Sequence, residues 1–440
     1  MDQGFFAGHR AAGQKEVTQC LWVYEHPVDF DGLRRFHHNL GYGLMGRRIE
    51  RSALPFGRHR WVVDRWPSDI DIAECPRPRA ELSDWVDERS QLPVDAERGP
   101  SWHLGVLPLA DGATAVSLVA SHYVVDGLGF VVAVADAILG NTRDFGYLPP
   151  GARTRLRAVL QDARQTARDV PQVARALVVA SKLAREQARV RRTSDRSPPP
   201  RPVAVADSGD DRVVVPGITI YVGLQEWDAR AAALGGTSNT LVAGLAVKLA
   251  EQMGRRRGSD SAVTLQLPIS DRVEGDTRAV ALSLARVSID PTRVTTDLRD
   301  ARAAIKEALT TLRQTPDTAA QLLWLAPWTP KPTFKRLVDA GFADPDFPVI
   351  VSNLGDLGSL VNRADGTPAE YLAGRGMRQD VTRGWLERIG GEMYLLSLRI
   401  GGKISITVRA YQPGAENTKP ALRALAARTL AEFDLTGEID

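Results

Sequence analysis

Among the residues of this chain that could do chemistry, His122 has the most suggestive surroundings. It follows the apolar β-type run of AVSLVASHYVVDGLGF, which ends at Ser121; a short polar cluster comes next, and Asp126-Gly127 lead into a helical segment. An imidazole at a strand end is held by a rigid element beside open space, and its ordinary pKa of about 6.5 lets it take and return a proton near neutral pH. A strand-end histidine is more commonly structural; the Asp-Gly that follows shifts the reading toward a base. Gly127 is expected to permit a turn that a Cβ would obstruct.

The other histidines offer less. His37 and His38 sit side by side in one helical stretch and point in different directions, so they read as surface or rim residues. His9, His26, His59 and His103 have no partner recognisable in the sequence, and residues 123 to 440 contain no histidine. Imidazole chemistry therefore belongs to the first half, and the second half contributes walls, hydrogen bonds and other charge. The two cysteines, Cys20 and Cys75, are too few for a disulfide scaffold or a multi-cysteine zinc site, and no metal-ligand spacing is visible. Neither they nor Ser121 stand in a recognisable nucleophile motif, so no covalent intermediate on these residues is expected.

The elements that must position these residues read as alternating strands and helices. Val17 to Tyr24 is a strand, and Asp29 or Asp31 caps a helix ending at Leu40. Trp61, Trp66 and Trp85 are the expected anchors of a proline-rich, charged stretch that runs to about residue 95. A strand pair, 103–109 and 115–121, precedes the histidine, and a helix from about Gly129 to Ile138 follows it. In the second half, strands are expected at 218–222, 262–267, 285–290 and 348–352. An apolar helix at 239–253 is capped by Thr237 or Ser238; other helices are expected at 298–313 and 419–433. A hairpin at 392–411 turns on Gly401-Gly402.

A length of 440 residues predicts two domain-sized lobes, divided here as 1–190, a linker 191–215, and 216–440. A net charge of +3 argues against a dedicated nucleic-acid binder. The charge is unevenly spread: residues 151–201 carry twelve Arg and one Lys against four acidic residues, in a partly helical rhythm that Pro171 is expected to interrupt. That excess suits a phosphate-bearing ligand, an acidic protein or an anionic membrane surface, or is a solvated helix face. No stretch is apolar enough to span a bilayer, and the N-terminus lacks a basic start followed by an apolar core. The expectation is a soluble cytoplasmic protein, with peripheral membrane contact through 151–201 among the readings of that segment.

The run S-H-Y-V-V-D-G (121–127) resembles the His-His-x-x-x-Asp-Gly signature of the chloramphenicol-acetyltransferase-like superfamily. That superfamily includes condensation domains, polyketide-associated acyltransferases and the wax ester synthase/diacylglycerol acyltransferase group. The stretch 92–127, the helix 239–253, LPISDR (267–272) and VIVSNLGDLG (349–358) follow in the family's order, so the likeness covers most of the chain. It is nearest to the wax ester synthase-like branch.

What the resemblance implies is an α/β fold of two chloramphenicol-acetyltransferase-like lobes with a tunnel at their junction. His122 corresponds to the general base and Asp126 to a structural carboxylate, with Arg272 its candidate partner. Ser352 and Asn353 correspond to the tunnel wall. The implied reaction moves an acyl group from acyl-CoA or a carrier-protein thioester to a small-molecule alcohol or amine, with no permanently bound cofactor. Two alternatives are a condensation-type amide synthase fed by an acyl or peptidyl carrier protein, and a non-catalytic binding member. Ser121 replaces the first signature histidine, and Leu354-Gly355-Asp356-Leu357 replaces the family's Val-Pro-Gly-Pro. Both departures touch the pocket or its backing.

Overall fold

The computed structural model describes residues 2, 4, 6–7, 13 and 15–440, apart from 67, 194–210, 259, 315–320, 331, 334–335, 337–343 and 345; within the helix ending at Thr193, side chains 184 and 186–193 are also left aside. His9 and most of the expected 191–215 linker lie outside the described residues.

Two mixed α/β layers are built on separate sheets. The first has five strands in the order Tyr371–Gln379, Lys15–Tyr24, Thr114–Ser121, Trp102–Pro108 and Ile70–Ile72. The second has seven: Glu438–Ile439, Gly217–Gly223, Lys403–Tyr411, Glu392–Ile400, Val349–Asp356, Val263–Ser270 and Leu282–Ile289. Val349–Asp356 is parallel to both its neighbours. The hairpin Glu392–Tyr411 pairs through Ile400 and Lys403, with Gly401 and Gly402 at φ 58° and 77°, the left-handed turn region that favours glycine.

The local signals explain the placement of the helices. Asp29 caps Phe30–Leu40 by accepting from Asp31 N–H, and Thr237 caps Ser238–Gln252 by accepting from Thr240 N–H. The second helix is buried along almost its whole length, against both the 7-stranded sheet and Phe433. Burying those side chains is the principal force that fixes it, since each fully buried aliphatic side chain contributes about 1.5–3 kcal/mol.

The sheets are not divided where the chain is. Tyr371–Gln379 lies in the second half of the sequence yet pairs antiparallel with Lys15–Tyr24 from Val23↔Tyr371 to Lys15↔Gln379. A Cβ on Gly374 would come within 2.9 Å of Leu396 Cδ2, and one on Gly376 within 3.1 Å of Tyr394. These glycines let the first sheet approach the strand Glu392–Ile400 of the second. Leu396, Leu398 and Ile400 then join Trp22, Phe36 and Leu118 in one apolar core.

Several sequence expectations are corrected. A short hairpin, Arg47–Glu50 with Arg60–Val63, lies in the proline-rich, charged stretch, for which the sequence reading names no strand. Trp85 is buried, but Trp66 is not an anchor: it is 45% exposed and stacks on His38 at 5.1 Å. Pro171 does not interrupt the helix within the basic segment, which is continuous over Arg155–Thr193. Pro171 lacks an N–H to donate to Ala167, but both residues are exposed, so water can satisfy the freed carbonyl.

Candidate active site

His122 follows the last residue of Thr114–Ser121, and its N–H donates to Glu16 O across the edge of the adjoining strand at 2.9 Å. It lines a cavity of about 370 Å³ between the two sheets. Asp126, Gly127, Ser352 and Asn353 line the same cavity. Its walls are largely apolar, with Val131, Val134, Leu354, Leu372 and Leu396 contributed by both halves of the chain. A volume in this range suits a small-molecule site.

Ser121 is absent from that lining. It is buried, its N–H donates to Ser101 O at 2.9 Å, and its Oγ accepts from Tyr123 N–H at 3.4 Å. Adjacent residues at a strand end face opposite ways, so Ser121 supports the loop from behind.

Asp126 ties the histidine loop to the second half. Its Oδ1 caps the helix Gly127–Leu139 by accepting from Gly129 N–H at 2.8 Å. Its Oδ2 accepts from Ala281 N–H at 2.8 Å and meets Arg272 Nη2 at 2.8 Å. Its own N–H donates to Ala279 O, to which Arg272 also donates. Both charged side chains are almost fully buried, so each compensates the desolvation of the other.

Gly127 does not need a left-handed backbone, contrary to the turn expected of it. Its constraint is space: a Cβ would stand 3.3 Å from Leu354 Cδ2. The tighter position is Gly129, where a Cβ would meet Asp126 Oδ1 and Val125 Cγ2 at 2.9 Å and Arg272 Cζ at 3.0 Å. On the facing strand, Asn353 Nδ2 donates to Asn239 Oδ1 at 2.8 Å, and Asn353 Oδ1 accepts from Gly355 N–H at 2.6 Å. The strand register shifts there, and Leu354 turns into the cavity.

Sequence reading missed a buried ionic group on the cavity wall. Arg378 bonds Glu16 at 3.1 Å and also Glu392, whose other oxygen lies 3.1 Å from Arg409. Burial works against the charge on Arg378, but Glu392 and Glu16 outweigh it and hold the guanidinium above its usual range. Arg409 is shifted down, by burial first, with Glu392 opposing and Arg378 repelling. Tyr394 is pushed up to about 12 by burial. The sequence signal for this group is charge inside strand-like runs, Arg378 in YLAGRGMRQ and Arg409 in KISITVRAY.

The remaining described histidines lie elsewhere. His37 Nε2 bonds Ser68 O at 2.8 Å, and His38 is exposed. His103 has a partner the sequence did not reveal: its Nδ1 is 3.0 Å from Arg89 Nη2, and burial, then Arg89, lowers its pKa to about 4. His59 lines a second cavity, about 360 Å³, with Phe6, Phe56 and Trp328; that cavity includes none of His122, Asp126 or Asn353.

No protein-family model matches the chain, and no curated protein matches it by sequence. Solved structures do. The wax ester synthase/diacylglycerol acyltransferase from Marinobacter aquaeolei VT8 is similar over 98% of this chain and 97% of its own, with TM-score 0.57 and 16% identity. The first condensation domain of the CDA synthetase is similar over 99% and 97%, with TM-score 0.55 and 12% identity. The chain has the chloramphenicol-acetyltransferase-like condensation-domain fold. Polyketide synthase associated protein 5 from Mycobacterium tuberculosis shares this condensation-domain fold over 97% of both chains, with TM-score 0.53 and 17% identity. Acyltransferases and condensation domains thus share this fold.

Proposed function

We propose that the chain is an acyltransferase in which His122 acts as general base. The observation that carries this reading is the position of the ring: it lies at a strand end on the wall of an apolar cavity between the sheets, on a loop braced by Asp126 and Arg272.

In the proposed reaction a thioester donor and an alcohol or amine acceptor meet beside His122, reaching the cavity through a tunnel between the lobes. The neutral imidazole accepts the acceptor's proton as its oxygen or nitrogen attacks the thioester carbonyl. Collapse of the tetrahedral adduct breaks the C–S bond, and the proton passes from His122 to the departing thiolate. General-base assistance of this kind is worth about 10²–10⁴ in rate, with positioning of the two substrates supplying the rest. Asp126 and Arg272 are positioning residues, and Asn353 shapes the facing wall.

Acyl-CoA is the donor this reading favours. A point mutant of the starter condensation domain of rhizomide synthetase, a fold relative with TM-score 0.51 and 14% identity, was crystallised in complex with C8-CoA. A thiol-release assay across acyl-CoA chain lengths, with mixed alcohol and amine acceptors, tests the proposal. Acceptor-dependent thiol release supports it. Release from a loaded carrier protein but from no acyl-CoA would replace it with the carrier-fed amide synthase.

A further inference from the structure

The helix Arg155–Thr193 has a face that the fold leaves uncovered. Of the 17 large apolar side chains most exposed among the described residues, six belong to this helix: Leu156, Val159, Leu160, Val170, Leu177 and Val178. Leu156 is 71% exposed and Leu177 57%. At about 100° per residue these six fall within one sector roughly 100° wide, continued by exposed Ala163, Ala167 and Ala174. The stripe from Leu156 to Val178 is about 33 Å long.

Charge is sorted around that stripe. Arg157, Arg164, Arg168, Arg175 and Lys182 form a second exposed row along one side of it. Between Arg155 and Arg185 the only acidic residues are Asp162 and Asp169, and both are turned inward. Asp162 accepts from Ser52, Ala53 and Arg153, and Asp169 pairs with Arg58 at 2.6 Å. From Arg155 to Arg185 the helix thus has three faces: one packed on the protein and holding Asp162 and Asp169, one apolar and open to solvent, and one cationic.

We propose that this helix docks the protein on an anionic lipid bilayer, lying in the interface with the Leu/Val stripe among the acyl chains and the Arg/Lys row on the headgroups. An exposed apolar stripe alone would equally suit a protein partner. The one-sided basic row and the withdrawal of both carboxylates favour a surface that is apolar within and uniformly negative at its boundary. The inference is independent of the acyl-transfer reading.

The test is co-sedimentation of the full-length protein with phosphatidylcholine vesicles, with and without phosphatidylglycerol, over a range of salt. Binding that requires the anionic lipid and weakens as salt rises is expected. Replacing Arg164, Arg168 and Arg175 together by Gln should lower affinity on the order of a hundredfold, at about fivefold per charge. Replacing Leu156, Leu160 and Leu177 by Gln should lower it at least about tenfold. All six positions are exposed, so unfolding midpoints should stay near wild type. Equal binding to neutral and anionic vesicles, or to neither, would overturn the proposal. So would concentration-dependent self-association that the Leu→Gln variant abolishes without any loss of vesicle binding.

Discussion

Arginine does opposite work at the seam between the sheets and on the long helix. At the seam, Arg272 and Arg378 are buried and each is matched to a named carboxylate. On the helix, Arg164, Arg168 and Arg175 are exposed, and the nearby carboxylates face away from them. A buried pair fixes geometry, because losing one partner leaves an uncompensated charge in a medium that solvates it poorly. An exposed row fixes nothing locally but adds up to a field. No residue of 155–183 lines the cavity that holds His122, so this part of the helix has little to do with holding that cavity together.

The largest effect that would sharpen this contrast is at Arg272. Arg272→Met should cost about 3–5 kcal/mol of unfolding free energy in urea titration, because Asp126 is left buried and unpaired. Asp126→Asn combined with Arg272→Met should cost less than the sum of the single changes, as expected of two residues in contact. Additive losses would show that the pair is not coupled.

A second seam-like site predicts a pH effect. His103 is buried beside Arg89, with its pKa lowered to about 4 from an ordinary 6.5. The unfolded chain therefore binds the extra proton more readily. The contribution is fully present above about pH 6.5 and is lost as pH falls toward 4, a change of about 3 kcal/mol. His103→Gln should flatten that part of the stability–pH curve; an unchanged slope would assign it to other groups.

Gly129→Ala comes next. The added methyl would crowd Asp126, Val125 and Arg272, and overpacking of this kind costs about 1–3 kcal/mol. The smallest effect is on the helix, where Arg164→Gln should change stability by no more than about 0.5 kcal/mol. A larger loss there would mean that the exposed row is structural and would break the comparison.

The same contrast explains what the sequence makes legible. Ser238–Gln252 and the hairpin through Gly401-Gly402 announce themselves, because a helix cap, an apolar run and a glycine pair are local signals. His122, Asp126, Gly127, Ser352 and Asn353 stand in short motifs and line one cavity. Tyr371–Gln379 is different. Its sequence, YLAGRGMRQ, has glycines where the neighbouring strand presses close and arginines where distant carboxylates wait, so its β character depends on partners remote in the chain. The Arg378–Glu392 pair and the contact of His103 with Arg89 are hidden for the same reason. The long helix shows the reverse error: Pro171 is a strong local signal that solvent exposure of the freed carbonyl overrides.

The most direct test of the central claim is thiol release by His122→Ala beside wild type, with urea unfolding measured on both proteins. Turnover by His122→Ala should fall about 10²–10⁴-fold while its unfolding midpoint stays near wild type. Unchanged turnover by a folded His122→Ala protein would contradict the claim.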